Sequence, residues 1–322
     1  MLNLAMVGLG RWGQTLIDAV QGRSEKLRFK IGVVRRTEPV AAYATRQGLE
    51  LSTDYAAVLT DPAVHGVVLA TPHSQHAAQV IAAAKARKPV LVEKPFTLDR
   101  ASAEAAVAAC RASGTPIAFA HNRRFLPAIV ELKRRIDTGL LGRPLHIEGN
   151  FSSRRGYQFQ AGNWRTARAE SPAGGMTAHG IHQIDAMIHL VGRFARVYAR
   201  SLRQVIETDA DDTTSMLFDF ESGMTGAFTT VTASAPMWRL RLLGSKGWAE
   251  MLGEHRLLLS GDPLTELAFP PISTERAELE AFADLIEGGK PYPVTAAEAI
   301  HGVAVLAAIV RSAASGTTVE VG

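Results

Sequence analysis

The hydrophobic positions of this chain follow two different rhythms. In the N-terminal part, short, mainly apolar runs alternate with segments whose apolar residues recur at helical spacing. The runs are Leu2 to Val7, Phe29 to Val34, Gly66 to Ala70, Val90 to Val92 and Thr115 to Ala120. They read as strands buried on both faces of a parallel sheet. Between them lie helical stretches: Leu16, Ile17 and Val20 after the first run, then Thr53 to Leu59, the alanine-rich Ala77 to Ala86, and Leu98 to Ala112 with Asp99 as N-cap. Strand and helix in strict alternation predict a doubly wound, Rossmann-type sheet.

After His121 the rhythm changes. Leu126, Ile129, Val130, Leu132 and Ile136 give an amphipathic helix whose Lys133, Arg134 and Arg135 face water, and Gly139 and Gly142 end it. Leu145 to Phe151 reads as a strand, Ser152 to Ala173 has little periodicity, and Gly174-Gly175 opens a helix to about Leu190. From Arg196 onward the pattern alternates with period two, as in Met216-Leu-Phe-Asp-Phe220 and Ala227-Phe-Thr-Thr-Val231. Runs at Arg196 to Arg203, Thr213 to Phe220, Gly223 to Thr232, Arg239 to Leu243, Trp248 to Leu252 and Arg256 to Leu259 predict an antiparallel sheet with one face on helices. Its other face needs cover, which points to a sheet-to-sheet homodimer or a homotetramer built on it. Two helices, Thr274 to Glu287 and Thr295 to Ala314, and a strand at Thr318 to Val321 close the chain. The expected division is a dinucleotide-binding domain at 1–121 and a second α/β domain, for substrate and oligomerisation, at 122–322.

Composition changes this picture little. The chain has 322 residues, 47% hydrophobic, with a formal net charge of +4, enough for two domains with real cores. Its basic pairs are scattered, with no basic helix or aromatic-basic sheet face, so nucleic acid is not an expected partner. The lone Cys110 excludes an intramolecular disulfide and any multi-cysteine zinc site. No signal-peptide pattern opens the chain and no apolar run approaches a membrane span, so a cytoplasmic protein without a membrane partner is expected.

The chemistry gathers at strand ends. The first run leads without a gap into Gly8-Leu9-Gly10-Arg11-Trp12-Gly13. Gly8 permits the tight turn, Gly10 lets a pyrophosphate approach the backbone, and Gly13 lets the helix pack on its strand. The second strand ends on Arg35-Arg36-Thr37, with no acidic residue until Glu38. A carboxylate there would hold the ribose 2′-OH of NAD; arginine suits a 2′-phosphate, so NADP(H) is favoured over NAD(H). Thr71, Pro72, His73 and His76 follow the next run and should line the cofactor cleft, although His76 reads equally as a helix-start residue satisfied by backbone. The run at Val90 to Val92 stops on Glu93-Lys94-Pro95-Phe96. A lysine at the carboxyl end of a buried parallel strand is placed to orient substrate or move a proton, and Pro95 holds it extended or through a cis peptide bond.

In the second half, the loop with Arg154, Arg155, Tyr157, Trp164 and Arg165 suits a wall over a polar, anionic substrate, with a basic surface loop as the alternative. On the following helix Ala178, His182, Asp185 and His189 share one face, while His179 sits about 100° round from Ala178. His179, His182 and Asp185 spread round the helix, so no metal is expected.

Gly8-Leu-Gly-Arg-Trp-Gly13, Thr71-Pro-His73, Glu93-Lys94-Pro95 and Asn122-Arg-Arg-Phe125 together resemble the Gfo/Idh/MocA oxidoreductases (glucose-fructose oxidoreductase, inositol dehydrogenase and rhizopine catabolism) in order and spacing. The resemblance continues through Trp164-Arg165, Gly174-Gly175, Gly180-Ile-His182-Gln-Ile-Asp185 and the C-terminal helices. It implies a Rossmann domain carrying NAD(P), a C-terminal α/β domain with a large, mostly antiparallel open sheet, and hydride transfer at a carbinol or carbonyl carbon of a sugar, polyol or sugar nucleotide. It matches Lys94 and His182 to the catalytic Lys and His, and puts Asn122 and Arg124 near nicotinamide and substrate. Glu93, Lys94, Asn122 and Arg165 join the cofactor-binding set with the glycines, Arg11, Trp12, Arg35, Arg36, Thr71, Pro72, His73 and His76. Arg124, Tyr157, Trp164 and Asp185 are the expected substrate contacts. The family Asp is replaced by Ala178, which leaves open a second reading as a catalytically weak, nucleotide-dependent sugar sensor.

Overall fold

The structure, a computed structural model, describes residues 1–158 and 162–322. It divides into two compact units, Met1–Asn122 with Ser273–Ala299, and Arg123–Ile272 with Ile300–Gly322. Asn122 and the segment from Ser273 thus join the first unit, an arrangement that a single boundary at 121/122 does not include.

The first unit contains β1 (Leu2–Val7), α1 (Arg11–Val20), β2 (Leu27–Val33), α2 (Ala41–Gln47), β3 (Glu50–Ser52), α3 (Tyr55–Thr60), β4 (Gly66–Leu69), α4 (His76–Lys85), β5 (Val90–Glu93), α5 (Arg100–Ser113) and β6 (Ile117–Ala120). The strands lie in the order β3-β2-β1-β4-β5-β6, and every pair is parallel. This is the doubly wound arrangement, with its switch point where β1 meets β4. All residues of β4 and β5 are buried, which is why these strands appear as unbroken apolar runs. Asp99 caps α5 by accepting from Ser102 N at 2.8 Å.

The second unit begins with α6 (Pro127–Asp137) and β7 (Pro144–Ser152). A π-helical turn at Met176–Gly180 runs directly into α7 (Ile181–Val191). Then come β8 (Phe194–Leu202), β9 (Thr213–Phe220), β10 (Thr225–Val231), β11 (Met237–Gly244), β12 (Gly247–Leu252), β13 (Arg256–Leu259) and β14 (Thr265–Ala268). The chain returns to the first unit for α8 (Thr274–Ile286), where Arg276 Nε donates to the Ala19 carbonyl of α1 at 3.1 Å. It finishes with α9 (Ala296–Ser315) and β15 (Val319–Glu320).

These strands form a nine-stranded sheet, β14-β13-β12-β11-β7-β10-β9-β8-β15, antiparallel except for the β7–β10 pair. One face carries Phe194, Met216, Phe218, Phe228, Leu240 and Met251 into a core closed by α7 and α9. Among the described residues α9 is the one helix long and apolar enough to cross a membrane. It meets that measure by length and composition only, and Val305 and Ile309 within it lie fully buried in this core. The opposite face bears a continuous cross-strand row of Tyr198, Leu217, Ala227, Glu148, Arg241, Glu250 and Leu258. Leu217 in that row is 60% exposed.

Candidate active site

In the first unit the glycine turn has the geometry that its sequence requires. Gly8 takes φ +99°, and a Cβ there would lie 2.7 Å from the Ala70 carbonyl oxygen. At Gly13 a Cβ would come within 2.1 Å of Gly8 O, so the helix approaches its strand only without one. Gly10 differs: a Cβ would meet nothing within 4 Å. It is the N-cap of α1, with no side-chain cap and no acidic residue in the first turn. The first N–H groups of α1 therefore face an open position, as an anion-binding helix terminus does. Arg11 is exposed beside it. Arg35 and Arg36, just beyond β2, are exposed and make no side-chain hydrogen bond or ion pair among the described residues.

Trp12 turns back to the next strand end, where its indole Nε1 donates to a carboxylate oxygen of Glu93. The other oxygen accepts from Lys94 N at 3.1 Å. Burial holds the Glu93 carboxyl above its ordinary range, opposed by the Lys94 charge and the Trp12 hydrogen bond. Lys94 itself is half-buried, and its peptide bond to Pro95 is cis. His76 is satisfied by backbone: Nδ1 lies 3.1 Å from Pro95 O and 3.3 Å from Phe96 O, and Nε2 lies 3.1 Å from Thr71 O. His73 is buried beside it, with ring centroids 5.9 Å apart. Pro72 caps the short turn His73–Gln75, and the Thr71 hydroxyl donates to Gln79 at 2.6 Å. Asn122 donates from its amide to Thr274 Oγ1 at 3.0 Å and to Glu275 Oε1 at 3.1 Å. It thereby fastens the end of the sheet to α8. Thr274 and Glu275 are invisible to sequence reasoning because they lie far along the chain.

The second unit arranges its site differently from regular helical spacing. Asp185 on α7 gives both carboxylate oxygens to Arg124, at 2.9 Å to Nε and 2.8 Å to an Nη, and the pair is almost wholly buried. His189 Nδ1 lies 3.1 Å from the same guanidinium. His182 turns elsewhere, its ring 6.2 Å from that of Phe151 at the end of β7. His179 packs on the same phenyl ring at 4.9 Å. The π turn Met176–Gly180, with more residues per turn than an α-helix, shifts the side chains of Ala178 and His179 relative to α7. His182, Asp185 and His189 lie on the regular helix α7, while Ala178 and His179 belong to the π turn before it, and His179 and His182 both pack on Phe151. Arg123 also sits over Phe151, at 5.4 Å, and pairs with Glu254 at 2.9 Å. Phe151 is thus a platform that the sequence does not flag, except by its place at a strand end.

Trp164 and Arg165 form a short turn capped by Asn163, with the guanidinium 4.2 Å over the indole ring. Tyr157 is 62% exposed and donates to the Ala233 carbonyl at 3.2 Å. The described residues contain no cluster of side chains able to hold a metal ion.

Comparison with known proteins matches residues 2–121 to the oxidoreductase family with an NAD-binding Rossmann fold, GFO/IDH/MocA. Residues 129–250 match the GFO/IDH/MocA C-terminal domain. The scyllo-inositol 2-dehydrogenase (NAD(+)) of Bacillus subtilis strain 168 is 27% identical over 352 residues, covering 99% of this chain and 96% of that protein. The D-apiose dehydrogenase of Paraburkholderia graminis is 28% identical over 306 residues, 88% of this chain and 80% of that one. A solved structure from Desulfitobacterium hafniense, described as an NADPH-dependent oxidoreductase, superposes with a TM-score of 0.92 at 27% identity, over 99% of this chain and 97% of its own. A glycine turn built for a dinucleotide, two matched domains and full-length relatives agree: the chain belongs to the Gfo/Idh/MocA family and is an NAD(P)-dependent oxidoreductase.

Proposed function

We propose that the chain exchanges hydride between NADP(H), in preference to NAD(H), and a carbinol or carbonyl carbon of a sugar, polyol or related substrate. The observation that carries this reading is Lys94 at the carboxyl end of β5, in the same parallel sheet as the glycine turn after β1. A nicotinamide supplies the hydride acceptor or donor when bound. The chain's own residues handle the rest. The Lys94 ammonium would hold the reacting oxygen by a hydrogen bond. His182 would take the O–H proton in the oxidative direction and return it in the reductive one, because imidazole titrates near neutrality. Arg124 and Asp185, committed to each other, would fix α7 and so aim His182. Trp164, Arg165 and Tyr157 would wall the substrate. The named relatives act on an inositol and on apiose, which supports a polyhydroxylated substrate.

Cofactor preference rests on Arg35 and Arg36, exposed at the end of β2 with no carboxylate before Glu38. The test follows reduced nicotinamide with scyllo-inositol, D-apiose and levoglucosan against NAD+ and NADP+. NADP+ should give the higher kcat/KM, and R35S/R36S should erase that advantage, a loss of about tenfold or more. Equal use of both cofactors by the unaltered chain contradicts the preference. Ala178, which carries no polar group, favours the sensor reading. That reading gains if reduced cofactor binds and no alcohol or sugar is turned over.

We also propose that a second copy of this chain covers the outer face of the nine-stranded sheet. Leu217, Tyr198, Leu202 and Met237 are exposed on that sheet, and Glu148, Arg239, Arg241 and Glu250 form a linked ionic patch across β7, β11 and β12.

A further inference from the structure

His76 is fully buried, at 0% exposure, and titratable, yet the proposed chemistry does not use it. Its two ring nitrogens meet three backbone carbonyl oxygens, those of Pro95 and Phe96 on one side and Thr71 on the other. A carbonyl oxygen only accepts. A neutral imidazole carries one N–H, so in either tautomer the second nitrogen would set its lone pair against an oxygen lone pair about 3.1 Å away. At a site closed to water that arrangement leaves a buried acceptor facing an acceptor. Protonation of both nitrogens turns every contact into a charge-assisted hydrogen bond.

We infer that His76 is held as an imidazolium that donates from both ring nitrogens, and so braces the Lys94-Pro95-Phe96 turn against the end of β4. It is a positioning residue for Lys94. Thr71 follows β4 by one residue beyond Ala70, and Pro95 and Phe96 directly follow Lys94. One rigid ring therefore ties two neighbouring strand ends together beneath the lysine. The Phe96 ring is in turn fixed edge-on against Phe119 of β6, with centroids 4.8 Å apart.

Tyr55 of α3 lies against α4, its hydroxyl donating to the Gln79 carbonyl at 3.0 Å. His73 faces His76 from the turn before α4. Glu93 and Lys94 belong to the end of β5. On α5, which packs on α4, Arg100 and Glu104 pair with each other at the surface, and Cys110 is a buried thiol. On α4 itself the first charged residue is Lys85, in the last turn. His76 opens α4, where the helix dipole disfavours a cation. The three carbonyl dipoles aimed at the ring supply the opposing field. The sign follows: a proton gained in the folded state keeps the brace complete at low pH, and the brace is lost as pH rises through the folded-state ionisation.

The protonation state stands on geometry alone; its consequence for Lys94 rests on the proposed function. The experiment is a ring nitrogen-15 spectrum of the full chain labelled at histidine. The His76 signals are assigned by their absence in H76Q, or by elimination against the other histidines if that variant does not fold. At about pH 7, where free imidazole is mostly neutral, both His76 nitrogens should resonate as protonated. One nitrogen in the unprotonated range overturns the inference. In a second arm, H76Q is assayed with whichever alcohol of the scyllo-inositol, D-apiose and levoglucosan panel is turned over fastest. It should lose kcat by about tenfold or more, with cofactor affinity within about twofold of the unaltered chain. Unchanged kcat removes the positioning role. If the unaltered chain turns over none of the panel, the functional reading fails while the nitrogen spectrum still decides the protonation state.

Discussion

Strands β4 and β5 are buried along their whole length, whereas β9 and β10 bury every second residue. The central strands β4 and β5 of the six-stranded sheet are buried on both faces, so polar side chains are excluded from them up to their carboxyl ends. They collect at the carboxyl ends, where Glu93, Lys94, Thr71 and the glycine turn lie. The nine-stranded sheet has one covered face and one open face, so it separates its work by side. Facing α6 and α7 are the core and the buried Arg124–Asp185 pair; facing outward is a row running from Tyr198 to Leu258. Changes on the covered side should therefore cost stability, changes on the open side should alter assembly, and changes at the β5 end should alter turnover.

The largest expected stability effect is at Arg124. Arg124→Leu leaves the Asp185 carboxylate buried without its counter-ion, and urea unfolding should show a loss of about 3–5 kcal/mol. The double change Arg124→Met with Asp185→Leu should recover most of it; no recovery would mean that the pair does more than hold α7. Asp212, at the start of β9, comes next. Burial alone would raise its pKa, but N–H groups of Val205, Gln204 and Ile206 outweigh that and hold the carboxyl below its ordinary range. Its contribution is present above the unfolded-state pKa, near 3.9, and is lost as pH falls through the folded value. Asp212→Asn should cost about 2 kcal/mol at neutral pH, and the gap to the unaltered chain should close below about pH 4. A gap independent of pH would show that packing rather than charge is responsible. Smallest in stability terms is Leu217→Arg, an exposed site expected within about 0.5 kcal/mol. On the proposed second-copy contact, light scattering should show this variant as a monomer and the unaltered chain as a dimer or larger.

Both rhythms point to the right kind of sheet, because period and continuity report how many faces are buried. Asp99 as a cap and Gly8 to Gly13 as a turn were equally readable, since each depends on residues within a few positions. What sequence could not supply is contact between distant segments. Arg124 meeting Asp185, Asn122 reaching Thr274, and the return of Ser273–Ala299 to the first unit depend on tertiary packing. The π turn at Met176–Gly180 left no mark either: nothing in Met-Thr-Ala-His-Gly distinguishes it from an α-helical turn, yet it takes Ala178 and His179 out of the α-helical register of α7. Short exposed β14 carries too few apolar residues to register as a strand.

On the proposed function, Lys94 performs chemistry and holds neither the fold nor the dinucleotide. The most direct measurement is steady-state turnover of Lys94→Met beside its NADPH affinity, followed by fluorescence. In Lys94→Met, kcat should fall by about 10²–10⁴, with NADPH affinity and unfolding midpoint close to those of the unaltered chain. Turnover retained at the unaltered rate would contradict this chemical role.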